Sequence, residues 1–179
     1  MLGVRKKQKI TLPGHGVLIQ FCGIGVYLIG DSGVGKSETA LELIHCGAKL
    51  ICDDAPDFSC QRNQHTNDLE LLGSCPEGFY GLMHLRDLGI INIIEQLGER
   101  CVKKSQRIDF VIELIHTDNS PLTETFATAQ YQHWQAPYQQ EQHSWTIPGI
   151  RIHLYRNRNI PLLIKTAIMQ FIQNQQTTK

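Results

Sequence analysis

This chain predicts an α/β layered domain, on three observations. Apolar strand candidates alternate with amphipathic helix candidates, a complete phosphate-binding motif joins one such strand to one such helix, and an aspartate pair closes the strand that follows. The length of 179 residues fits one domain with a sizeable core. With 17 Lys and Arg against 17 Asp and Glu, the formal net charge is zero. That balance argues against a nucleic-acid or anionic-membrane surface.

The elements follow in order. The start, MLGVRKKQKI, is basic, and Thr11, Pro13 and Gly14 come next instead of the apolar core of a signal peptide. Residues 16–22 and 25–29 predict two strands joined at the glycines near Gly23. The apolar stretch 16–30 is short and broken by Gln20, so it does not span a bilayer. Residues 36–46 predict a helix, with Ala40, Leu43 and Ile44 at helical spacing and Gly47 as its stop. Residues 48–52 form a short buried strand ending at Asp53 and Asp54, and residues 57–72 read as strand, polar turn and strand. Residues 88–98 are apolar and fit helix or strand equally. Residues 107–115 and 150–156 predict further strands, and residues 160–174 a last helix with Pro161 in its first turn. Gln occurs six times between Gln130 and Gln142, and no Lys or Arg occurs between Arg107 and Arg151. Segment 116–149 is accordingly expected to be a long loop.

Cys22, Cys46, Cys52, Cys60, Cys75 and Cys101 form no CxxC pair, which argues against a zinc site. Several lie in apolar runs, where a reduced cysteine packs as a small hydrophobe. The expected compartment is the cytoplasm.

Residues 30–37, GDSGVGKS, match G-x-x-x-x-G-K-[ST] in full. Gly30, Gly33 and Gly35 permit a backbone that side chains would block, with Asp31, Ser32 and Val34 between them. Successive N–H groups then cradle phosphate oxygens at a helix N-terminus. Lys36 is expected to reach the β- and γ-phosphates, outside the core, and Ser37 to coordinate Mg²⁺. The motif identifies a nucleotide site and leaves the acceptor open. Asp53 and Asp54 at a strand end suit metal binding and base catalysis, one turned to metal or water and the other to the acceptor. An acidic surface turn before Pro56 is the other reading.

Residues 15–54, HGVLIQFCGIGVYLIGDSGVGKSETALELIHCGAKLICDD, resemble the core of bacterial HPr kinase/phosphorylase. The likeness continues at Leu72 to Pro76, at LMHLRDLGIINI (82–93), at RIDFVIELI (107–115) and at IRIHLYRNRN (150–159). The resemblance implies a P-loop kinase core of the HPr kinase and phosphoenolpyruvate carboxykinase type, mainly β sheets with flanking helices. It also implies an ATP-dependent kinase for a serine of the phosphocarrier HPr, with reversal by phosphorolysis. Gly30 to Ser37 would then hold phosphates, and Ser37 with Asp53 would hold Mg²⁺, or Mn²⁺. Asp54 would take the serine proton, His15 would lie beside it, and Arg86 would serve catalysis from the signature segment. The same resemblance implies a hexamer and, because only fourteen residues precede His15, a catalytic domain spanning residues 1–179 without the family's separate N-terminal domain.

Three departures carry expectations of their own. His84 stands where the family has a metal-binding Glu, and Asp87 where it has a Gly. No cation follows the strand 107–115, where the family has an arginine, so phosphorolysis is expected to be the weaker direction. In the segment 156–159, Arg158 and Asn159 match the family pattern, while Arg156 and Asn157 replace Pro-Gly. Two other readings keep the P-loop: a kinase with a different acceptor, and a nucleotide-binding regulatory module with little catalysis.

Overall fold

The structure, a computed structural model, describes residues 15–63, 66, 68–116, 131–137, 144–154 and 159–177. It opens with a hairpin of β1 (Gly16–Phe21) and β2 (Ile24–Gly30). Cys22 and Gly23, at φ 50° and 82°, form the tight turn between them. Two successive positive φ values match the right-handed twist of the flanking strands. After the glycine loop comes α1 (Lys36–His45), which buries Ala40, Leu43 and Ile44. Gly47 ends it at φ 98°, its N–H donating to the Ile44 carbonyl at 2.9 Å.

Next come β3 (Lys49–Cys52), β4 (Asp57–Arg62), β5 (Leu69–Ser74), β6 (Leu82–Leu85) and β7 (Gly89–Asn92). The ambiguous apolar run 88–98 divides at Asn92, where β7 gives way to α2 (Ile93–Leu97). The Asn92 side-chain oxygen accepts from the Ile94 and Glu95 N–H groups, so a cap decides what periodicity leaves open. The expected strand 107–115 is interrupted: β8 (Ser105–Arg107) ends before Ile108, and β9 (Phe110–His116) begins after Asp109. The chain finishes with β10 (Tyr131–Pro137), β11 (Ser144–Leu154) and α3 (Ile160–Thr177). The Asn159 side chain accepts from the Leu162 N–H at 3.0 Å and caps α3.

The central sheet has the order β10-β11-β9-β2-β1-β3. β9 runs parallel to β2 and to β11, and the other pairings are antiparallel. β4-β5-β8 form a second sheet, and β6-β7 a hairpin. Side chains alternate across the central sheet. Val17, Ile19, Val26, Leu28, Phe110 and Ile112 pack against α1 and α3. Leu18, Tyr27, Ile29 and Val111 pack on the other face, with Leu71 of β5. The result is three layers: helices, central sheet and small sheet.

Segment 116–149 is not wholly a loop. β10 and the first half of β11 lie within it, paired from Tyr131↔Ile150 to Pro137↔Ser144. Gln and Pro point locally to a loop, but the pairing is long-range. Pro137 ends an edge strand, and Pro148 lies before β11 joins β9 at Gly149, so the absent N–H groups break no central ladder. Residues 117–130 and 138–143 lie outside the described residues, as do the sequence readings of the basic start and of Arg156, Asn157 and Arg158.

Phe110 is fully buried and stacks on Phe171 of α3, with ring centroids 4.4 Å apart. Phe110→Ala removes this stack and leaves a cavity, for an expected loss of about 3–5 kcal/mol. Urea unfolding followed by circular dichroism reads the shift in midpoint. A change within error would show that α3 is not anchored by this pair.

Candidate functional site

Strand direction brings the sequence candidates to one edge of the central sheet. β2 ends at Gly30. β1 runs antiparallel to β2, so its start, with His15 just before it, lies at that same edge. β3 runs antiparallel to β1 and ends there with Asp53 and Asp54 next in the chain. The Gly16 N–H donates to the Asp54 carbonyl at 3.1 Å and ties the two ends together. His15, Gly30 to Gly33, Gly35 to Glu38, Asp53, Asp54, His84, Arg86 and Asp87 line one cleft of about 780 Å³.

The loop has the geometry its glycines predict. Gly30, Gly33 and Gly35 have φ 143°, 77° and 96°. Gly35 is the left-handed N-cap of α1, with no side chain satisfying the first-turn N–H groups. A Cβ on Gly33 would collide with the Arg86 guanidinium, so this glycine leaves room for a cation against the loop. Val34 turns away into the core, where its backbone still shapes the loop. Lys36 differs from expectation. It is only 8% exposed, and its ammonium donates to the Gly30 and Asp31 carbonyls at 2.8 and 2.9 Å. The helix start lies beneath the loop, so a lysine at this position is enclosed by it.

Asp53 and Asp54 do point different ways. One oxygen of Asp53 accepts from Ser37 Oγ at 2.9 Å and the other from the His84 N–H at 2.8 Å. Burial pushes its pKa above the ordinary value, and those two hydrogen bonds pull against the rise. Asp54 is exposed and adopts φ 71°, a conformation uncommon outside glycine. Its Oδ1 lies 3.8 Å from His15 Nδ1, within ion-pair reach when the imidazole is protonated. The side chain of His84 is exposed on the same cleft, while its backbone is fixed by Asp53. Asp87 has φ 68° in the β6-β7 turn, which explains why a glycine suits that position.

Sequence reasoning missed the tie between His84 and Asp53. They are 31 residues apart, and the donor is a backbone N–H that no motif marks. The span without cations ends at Arg151, which pairs with Glu113 of β9. The lining contains the carboxylates Asp31, Glu38, Asp53, Asp54 and Asp87 against the cations Lys36 and Arg86. A polyphosphate entering this acidic cleft needs a divalent cation with it. Ser37 Oγ and the Asp53 carboxylate suit Mg²⁺, which takes few protein ligands and completes its shell with phosphate oxygens and water. Among the described residues, no three His, Cys, Asp or Glu side chains cluster to hold a metal unaided.

Comparison with known proteins gives a consistent result. Residues 8–179 match the family model described as the HPr serine kinase C-terminal domain. An HPr kinase/phosphorylase of Treponema pallidum (strain Nichols) is 35% identical over 160 residues, covering 89% of this chain and 46% of the relative. One from Listeria monocytogenes serotype 4a is 33% identical over 157 residues, covering 88% and 46%. The chain thus spans about half the length of the curated relatives it matches. The solved HPr(Ser) kinase/phosphatase of Coxiella burnetii superposes with a TM-score of 0.74 at 27% identity, covering 92% of each chain.

The buried carboxylate of Asp53 has a testable cost. Its raised pKa means that it contributes most to stability when protonated. That contribution is lost as pH rises from the ordinary aspartate range through the raised value. With divalent cations chelated, Asp53→Asn is expected to unfold at a temperature equal to or above wild type at pH 7.5. The gain should be about 2–4 °C for each kcal/mol of relieved desolvation. The gap should close as pH falls through the raised value. A mutant that is less stable at pH 7.5 would show that the hydrogen bonds outweigh the burial.

Proposed function

The chain belongs to the HPr serine kinase C-terminal domain family, and on that premise we propose that it transfers the γ-phosphoryl group of ATP to a serine of an HPr-like phosphocarrier protein. The observation that carries this reading is the division of labour between adjacent carboxylates. Asp53 is tied to Ser37 beneath the loop, while Asp54 faces out beside His15.

The roles follow from that arrangement. The N–H groups of Gly33 to Ser37 hold the phosphates, and Lys36 and Arg86 neutralise charge on the transferring group. Lys36 exchanges its two loop carbonyls for phosphate oxygens when nucleotide binds. Ser37 and Asp53 would hold Mg²⁺, which when bound would supply positive charge against the phosphate oxygens. Asp54 accepts the proton of the attacking serine hydroxyl, and His15 stabilises that carboxylate before the transfer. The left-handed backbone at Asp54 is the kind of local strain that persists where it orients a functional group.

In reverse, Asp54 returns the proton to the serine oxygen as inorganic phosphate takes up the phosphoryl group, giving pyrophosphate. This direction brings two anions together. Besides Lys36, Arg86 lies against the loop, while Arg151 is paired with Glu113, which supports a forward reaction faster than the reverse. Among the described residues, no helix is long and apolar enough to cross a membrane. A catalytic domain within a cytoplasmic homo-hexamer is the setting that the family resemblance supports.

Asp54→Asn is expected to lower transfer from labelled ATP to purified HPr by about a hundredfold or more. Pyrophosphate release from phosphorylated HPr should fall with it, while ATP binding is retained. Transfer at the wild-type rate would move the base elsewhere, with His15 the next candidate.

His84 carries a second prediction. Mg²⁺ prefers oxygen ligands and binds imidazole poorly, whereas Mn²⁺ accepts nitrogen more readily. His84→Glu is expected to lower the Mg²⁺ concentration for half-maximal transfer severalfold and to narrow any preference for Mn²⁺. Identical Mg²⁺ and Mn²⁺ titrations for the two proteins would place His84 outside the metal shell.

A further inference from the structure

We propose that Tyr27 is a positioning residue for the Asp54 base: its ring fills the space that a Cβ at Gly16 would take, and so fixes the place from which the start of β1 holds the aspartate. The effect on the reaction rests on the reading of Asp54 given above, whereas the effect on the Gly16 backbone does not.

Regular sheet pairing does not reach Asp54. The register of β1 against β3 shifts between Leu18 and Ile19, and the last paired residues toward the site are Leu18 and Cys52. Beyond them, the Gly16 N–H donates to the Asp54 carbonyl at 3.1 Å, at the point where Asp54 has φ 71°. A single hydrogen bond gains little net free energy, less than an uncommon backbone conformation costs, so packing must add to it. The place of Gly16, a buried residue, therefore decides how firmly Asp54 is held.

Tyr27 supplies that packing. Its Cα partner on β1 is Leu18, so Gly16, two residues earlier, is its diagonal neighbour on the same face of the sheet. A Cβ on Gly16 would stand 2.6 Å from Cε2 and Cζ of the ring, and 2.5 Å from the Leu28 carbonyl oxygen. The ring thus lies directly against the glycine backbone, in space that only a missing side chain leaves. Tyr27 is 1% exposed, and Phe58 of β4 meets it edge-to-face, with centroids 5.4 Å apart and planes at 78°. The small sheet holds the ring on β1, and His15 and the Asp54 tie lie at the site end of that strand. Burial pushes the Tyr27 phenol well above its ordinary pKa, so the group stays neutral and acts by its shape.

A smaller side chain at position 27 leaves a gap beneath Gly16. The strand start moves into the gap, the Gly16 N–H leaves the Asp54 carbonyl, and the carboxylate shifts against the attacking hydroxyl. The phosphate loop hangs from the end of β2 and the start of α1, so ATP binding is spared.

The test compares Tyr27→Leu, Tyr27→Phe and Phe58→Leu with Phe110→Leu, a ring-to-leucine change in the opposite apolar layer. Tyr27→Leu should lower kcat for transfer to purified HPr about tenfold, with the KM for ATP within about twofold of wild type. Tyr27→Phe should keep kcat within about twofold, and Phe58→Leu should lower it by roughly two- to fivefold. Amide-resolved hydrogen exchange should show Gly16 losing protection in Tyr27→Leu, beyond any loss at the interior amides of β2 and β9, and keeping it in Tyr27→Phe. Phe110→Leu should destabilise the fold without either the selective loss at Gly16 or the drop in kcat. A Tyr27→Leu protein that keeps Gly16 protection and kcat would overturn the proposal. Equal losses of kcat in Tyr27→Leu and Phe110→Leu would overturn it too, because they mark a general effect of stability. A loss in Tyr27→Phe as large as in Tyr27→Leu would assign the role to the hydroxyl and overturn that of the ring. If Tyr27→Leu does not fold, Phe58→Leu decides by the same two readouts. A wild-type protein that transfers no phosphoryl group to HPr would refute the preceding functional reading, while exchange at Gly16 would still judge the ring.

Discussion

The carboxylate of Asp53 is the joint on which the site depends. It bonds the first turn of α1 through Ser37 and the β6-β7 hairpin through the His84 N–H, and it is carried by the end of β3. Three segments distant in sequence are fixed by one side chain with two oxygens. Neutralising this carboxylate would ease its burial, since its pKa is raised by desolvation. It is held charged where a divalent cation would compensate it. A buried carboxylate of this kind costs stability by itself and would be compensated by a bound cation.

The surroundings of that joint hold several backbone conformations that ordinary residues avoid. Asp54 and Asp87 both have positive φ, as do the three loop glycines. At Gly33, the absent Cβ gives Arg86 its place against the loop. At Asp54, the unusual backbone turns the side chain outward, while Asp53 next to it turns inward. Adjacent aspartates therefore meet different surroundings, one buried under hydrogen bonds and one exposed.

Two apolar layers make this rigidity affordable. On one face, the strands that end at the site pack on α1 and α3, with Phe110 stacked on Phe171. On the other face, Leu18, Tyr27 and Ile29 meet the small sheet, where Tyr27 and Phe58 form an edge-to-face pair with centroids 5.4 Å apart. The same layer buries Cys52, the residue directly before the aspartate pair. Packing and site thus share one wall.

The sequence by itself determined the elements and the chemical inventory near the loop. GDSGVGKS between a strand and a helix, and Asp-Asp at the next strand end, are local patterns whose geometry follows from glycine φ freedom and strand alternation. It also carried the resemblance that the family match confirms. Only the tertiary structure decided what long-range pairing controls. The Gln-rich run hid β10 and half of β11, because a strand at the sheet edge is held by its partner rather than by its own composition. The enclosure of Lys36 depends on the loop folding back over the helix start. The Asp53–His84 bond needs two strands to meet, and no spacing along the chain encodes a meeting between strands.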